Sequence, residues 1–81
     1  MTTADRIVER IEVIRDDRQV TVKDLADVTG IADKTLRRRR INPAQLNFGE
    51  FDALCGALDV RPEDVLDLTI PVDSLLRRAT A

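Results

Sequence analysis

Histidine is absent from the 81 residues, and Cys55 is the single cysteine. Nucleophile pairs of the Ser/His or Cys/His kind are excluded, an internal disulfide cannot form, and a zinc site has almost no ligands to draw on. Trp and Tyr are also missing and Phe occurs twice, so the core has to be aliphatic, which favours helices packed on helices. No apolar run approaches the ~18 residues of a membrane span. The opening MTTADRIVER mixes charges of both signs and has no apolar signal-peptide stretch. With three glycines in all, there is no glycine-rich phosphate loop. These absences argue for one small cytoplasmic domain that is not an enzyme and needs no cofactor or metal.

What is present is a segregated charge. Thr21 to Ile41, TVKDLADVTGIADKTLRRRRI, reads as a short helix, a tight turn at Gly30, and a second helix carrying Lys34, Arg37, Arg38, Arg39 and Arg40. No acid occurs from Lys34 to Gly49, although the whole chain has fifteen acidic against thirteen basic residues and a net charge of −2. Cations gathered on one element of an acidic chain point to a polyanionic partner at one face.

Taken in order, Ile7, Ile11 and Ile14, with Val8 beside them, make the apolar stripe of a first helix over 4–17. Thr3 is placed to cap it, Arg6, Glu9, Arg10, Glu12, Arg15 and Asp16 take its other faces, and Val13 falls off the stripe. Thr21 caps the second helix with Asp24 three residues on, and Leu25 and Ala26 face inward. Gly30 supplies the positive φ of a sharp helix exit, and Ile31 anchors the turn. The third helix starts at Ala32 or Asp33 and stops near Arg40, before Asn42-Pro43. With Leu36 inward and about 100° per residue, Lys34 and Arg38 point outward at about 160° and 200°, and Arg37 stands aside at about 100°. Arg39 and Arg40 turn back toward the core edge. Residues 42–46 form a loop. Asn47 and Glu50 make a capping box for a fourth helix to Leu58, with Phe48, Phe51, Leu54, Cys55 and Leu58 as its stripe. Pro62 opens a short fifth helix with Val65 and Leu66 buried. After Ile70-Pro71-Val72, Asp73 or Ser74 caps a last turn through Leu75, Leu76 and Arg77.

This order of elements resembles the helix-turn-helix domains of lambda-repressor and Cro-like phage and bacterial regulators. The resemblance rests on Val20-Thr21 with Leu25-Ala26, on Gly30-Ile31 and Thr35-Leu36, and on the run from Ala57 to Leu66, ALDVRPEDVL. It spans about residues 7 to 67. The chain departs from the family pattern at Val22 (a Gln in many relatives), Ala32 (a capping Ser), Arg39 (an apolar residue) and Asp59 (a helix-ending Gly). The resemblance implies an all-α, compact five-helix domain over 1–68 with a C-terminal tail, 69–81, that either covers the body or forms a dimer contact.

It further implies a sequence-specific transcriptional regulator that inserts helix 33–40 into the major groove of double-stranded DNA, as a homodimer on a palindromic or pseudo-palindromic site. Carried over by position, Asp33, Lys34, Arg37 and Arg38 fall on the bases, and Thr21, Lys23, Arg39, Arg40 and Asn47 on phosphates. Asp33 also suits a helix cap, Lys23 plain surface, and Arg15 either an ion pair or a phosphate contact. Cys55 reads as core. Three other readings stay open: an excisionase-like architectural factor, a DNA-binding antitoxin, and a helix-turn-helix module used for protein contact.

Overall fold

Three capping boxes and two apolar stripes set most of the chain's local structure. The computed structural model describes residues 1–79, so the tail's last two residues lie outside the described residues. Its α-helices are α1 (Thr3–Asp17), α2 (Val22–Thr29), α3 (Asp33–Ile41), α4 (Phe48–Ala57), α5 (Pro62–Leu66) and α6 (Val72–Ala79), with a 3-10 turn at Pro43–Gln45. No strand occurs among the described residues, in keeping with the all-α class.

The cap of α1 is Thr2, not Thr3. A capping box needs its acid three residues after the cap, and the first-turn acid is Asp5. Thr2 Oγ1 accepts from the Asp5 amide at 3.1 Å, and Asp5 Oδ2 accepts from the Thr2 amide at 2.8 Å. Thr21 and Asp24 repeat this at α2, as do Asn47 and Glu50 at α4. The α1 and α4 exits end in the same way. Val20 N donates to Arg15 O and Val60 N to Cys55 O, each at 3.0 Å, closing turns that need a left-handed residue in between. Those residues are Gln19 (φ 57°) and Asp59 (φ 54°). A side chain in this region costs about 1–2 kcal/mol, while glycine adds about 0.5–1 kcal/mol of unfolded-state entropy. Asp59→Gly is therefore expected to stabilise the fold by about 0.5–1 kcal/mol, measured as a rise in urea midpoint at constant slope. An unchanged or lower midpoint would mean the carboxylate compensates locally.

One cluster forms the core: Ile7, Ile11 and Ile14 of α1, Val22 and Leu25 of α2, Leu36 of α3, Phe51, Leu54 and Cys55 of α4, then Leu58, Val60, Val65 and Leu75. Burial pushes the Cys55 thiol up to about 12, so it stays protonated and inert, as a core residue should. Val13 is half-buried, as its place off the stripe requires.

Four expectations need correction. Phe48 is 84% exposed, because it stands on the first turn of α4, about 70° from the mean direction of Phe51, Leu54, Cys55 and Leu58. Leu66 is 47% exposed, because the single inward position of five-residue α5 goes to Val65. Arg10 is buried: α5 crosses over it, and its guanidinium donates to Asp67 O at 3.3 Å and Asp64 O at 3.5 Å. These are helix-end carbonyls that lack partners within so short a helix. Finally, the tail holds a sixth helix. α6 begins at Val72, two turns long, packs on α1 and sinks Leu75 completely into the core. Ile70 and Leu76 pack against the same cluster. Arg78 Nη1 meets Asp64 Oδ1 at 3.2 Å, tying α6 to α5.

Candidate nucleic-acid interface

The turn between α2 and α3 is held by one hydroxyl. Thr29 Oγ1 donates to Leu25 O at 2.7 Å and accepts from the Ile31 amide at 3.1 Å. Gly30 follows in the left-handed region at φ 76°, where a side chain would be strained. Ile31 is half-buried against the core, and Leu36, one turn into α3, is 5% exposed and fixes that helix's rotation. The position that relatives fill with Gln, Val22, goes into the core at 7% exposure.

Rotation about Leu36 then sorts the five cations. Lys34, Arg37 and Arg38 are exposed, as their angles require. Among the described residues, Lys34 and Arg38 form no ion pair. Arg37 pairs with Asp33 one turn back on the same helix. Asp33 does not cap α3. Ala32 is the cap residue and offers no side-chain bond, and Asp33 enters the first helical turn instead. There its charge suits the positive helix end.

Arg39 is half-buried and Arg40 exposed, but both reach carboxylates of neighbouring helices. Arg39 Nε donates to Glu50 Oε1 at 2.9 Å and Nη2 to Glu50 Oε2 at 3.3 Å, a two-pronged contact between α3 and the first turn of α4. Glu50 Oε1 also accepts from the Asn47 amide at 3.1 Å, so one carboxylate closes the cap and anchors the arginine. Arg40 Nε lies 2.5 Å from Glu12 Oε1 of α1. Glu12 holds Arg15 too, at 3.0 Å, and Arg15 Nη1 donates to Val20 O at 2.8 Å. Arg15 is thus a structural ion-pair partner. Neither carboxylate's tertiary role was visible in the sequence: Glu50 showed only its capping-box spacing, and Glu12 only its i, i+3 relation to Arg15.

The Arg39 guanidinium, followed by the Asn47 amide, holds the Glu50 carboxyl below its ordinary 4.5, against the opposing effect of burial. A depressed folded-state value means that this stabilisation is complete above pH 4.5 and is lost as pH falls through the folded value. Glu50→Gln is expected to flatten this acid limb of the stability curve, read from urea midpoints between pH 7 and 3. Parallel curves for the two proteins would show that Glu50 contributes nothing to it.

Thr21 and Asn47 use their side-chain oxygens as caps. A phosphate arriving there would meet the free first-turn amides, those of Val22 and Lys23 at α2 and of Phe48 and Gly49 at α4. α2 packs on both α3 and α4, and the Arg39–Glu50 contact sets the end of α3 beside the start of α4. The N-terminus of α4 thereby stands beside the last turn of the cationic helix. No helix among the described residues is long and apolar enough to cross a membrane. Comparison with curated proteins and with solved structures finds no match. Residues 10–70, most of the chain and all of α2, α3, α4 and α5, match the family model of the Cro/C1-type HTH DNA-binding domain, and the chain belongs to that family.

Proposed function

We propose that the chain is a sequence-specific transcriptional regulator, a phage-type repressor or Cro-like protein of the cytosol, that binds double-stranded DNA with α3 in the major groove. The observation that carries this is the outward face of α3. Lys34, Arg37 and Arg38 stand exposed there on an otherwise acidic molecule. Asp33, Lys34, Arg37 and Arg38 meet base edges. Thr21, Lys23, Arg39, Arg40 and Asn47 meet phosphates. Arg39 and Arg40 each have N–H groups beyond those given to Glu50 and Glu12, because a guanidinium carries five donors. Each can bridge a carboxylate and a phosphate.

Size supports a partner copy. A nine-residue helix is about 13 Å long and spans about four base pairs, too few to define a site. Two copies related by a two-fold axis, reading half-sites about 34 Å apart, double the sequence read. The protomer's longest extent, 30 Å, suits side-by-side placement at that spacing.

Selection from random duplexes tests the reading. A palindromic or pseudo-palindromic motif is expected, and Arg38→Ala should cost about 1–3 kcal/mol on it and relax preference at one position. Equal losses on every duplex would make Arg38 a phosphate contact. Salt-sensitive binding with no motif would replace the regulator by an architectural factor. No binding at low salt would leave protein contact as the role of the fold.

A further inference from the structure

The first two turns of α3 carry a restricted set of groups for reading bases. Their exposed positions are Lys34, Arg37 and Arg38, with Asp33 on the first turn. No Asn or Gln occurs between Asp33 and Ile41, so the side chains that pair with the adenine edge are missing from this helix. Thr35 is half-buried at its side. Ile41, the exposed apolar residue that could meet a thymine methyl, lies at the far end, whereas a recognition helix reads with its N-terminal residues. Arg39 and Arg40 are drawn off the reading face by Glu50 and Glu12.

We infer that the half-site is guanine-rich and that Asp33 is a specificity-determining residue acting through Arg37, an inference that rests on the DNA-reading proposal above. Arg and Lys donate to guanine O6 and N7, and Arg does so with both prongs of its fork. Asp33 engages Arg37 through Nε, which leaves the donors of its two terminal nitrogens for other acceptors. This exposed contact one turn back on the same helix biases the guanidinium before DNA arrives, so less side-chain entropy is lost in making the two-pronged contact. The oxygen of Asp33 left over accepts from a donor; of the two in the major groove, adenine N6 and cytosine N4, the cytosine amine is the one a carboxylate ordinarily reads and the one beside guanine. Both uses of the carboxylate select the same G·C pairs. A carboxylate on this face also weakens non-specific binding, because it repels every phosphate it approaches.

The test uses the full chain and the duplex enriched by selection, read by fluorescence anisotropy. The expected motif has at least two guanines per half-site. Replacing each by 7-deazaguanine removes N7 while keeping base pairing. Binding is expected to weaken about tenfold per position, and substitution of adenines by 7-deazaadenine to change nothing. Arg37→Ala should abolish the sensitivity at one guanine. Asp33→Ala should flatten the preference at that same guanine while tightening binding to unrelated duplexes. An A·T-rich motif, or indifference to 7-deazaguanine on an enriched motif, overturns the inference and leaves the regulator reading standing. Absence of any motif, or of any binding at low salt, overturns both. Both side chains are at the surface, so circular dichroism should report an unchanged fold for the two variants.

Discussion

Leu75→Ala should cost about 2–5 kcal/mol, the range for removing a buried leucine from a packed core. Leu75 is fully buried, although the sequence leaves its segment open between covering the body and forming a dimer contact. A domain of this size has a total stability of about 4–12 kcal/mol at 0.05–0.15 kcal/mol per residue, so the variant should be near its unfolding threshold at 37 °C. Asp27, exposed on α2, supplies the control, since Asp27→Ala should change stability by less than about 0.5 kcal/mol. Thermal melts of the three proteins decide the point. A melting temperature for Leu75→Ala equal to that of the parent would remove α6 from the core. Ending the chain at Asp67 should likewise unfold the domain rather than only alter its assembly.

Binding to the selected site should fall about 10³-fold between 50 and 200 mM salt. This follows if Lys23, Arg39 and Arg40 of both copies each neutralise a phosphate, six contacts with a slope of about −5 in log K against log salt. If Glu50 and Glu12 keep their arginines, only the two lysines remain, the slope drops to about −2 and the loss to about tenfold. The titration therefore measures whether the inward arginines leave one edge free for DNA. Glu12→Gln and Glu50→Gln refine it, because releasing an arginine should steepen a shallow slope and leave a steep one nearly unchanged.

Much of this molecule was legible one residue at a time. The period of Ile7, Ile11 and Ile14, the boxes at Thr21 and Asn47, and the glycine at 30 are local signals, and the helices lie where those signals put them. The outward directions of Lys34, Arg37 and Arg38 follow from helix geometry with Leu36 inward. The errors occurred where the deciding neighbour is distant in sequence. Arg10 belongs to the polar face by periodicity, but it is buried because α5, more than fifty residues later, covers it with unpartnered carbonyls. Phe48 belongs to an apolar stripe by count and is exposed because it stands on the first turn, to one side of the face that α4 buries.

By itself the sequence determined the all-α class, the helix-turn-helix register and the cationic helix, because capping, periodicity and glycine conformation act within a few residues. Only the tertiary structure decided which cations stay available. Helix rotation alone turns Arg39 and Arg40 toward the core edge, but it is α1 and α4 that bring Glu12 and Glu50 against Arg40 and Arg39, while Arg38 and Lys34 keep their charge outward. It also decided that the tail is part of the body, since the pocket that accepts Leu75 does not exist until the other helices have packed.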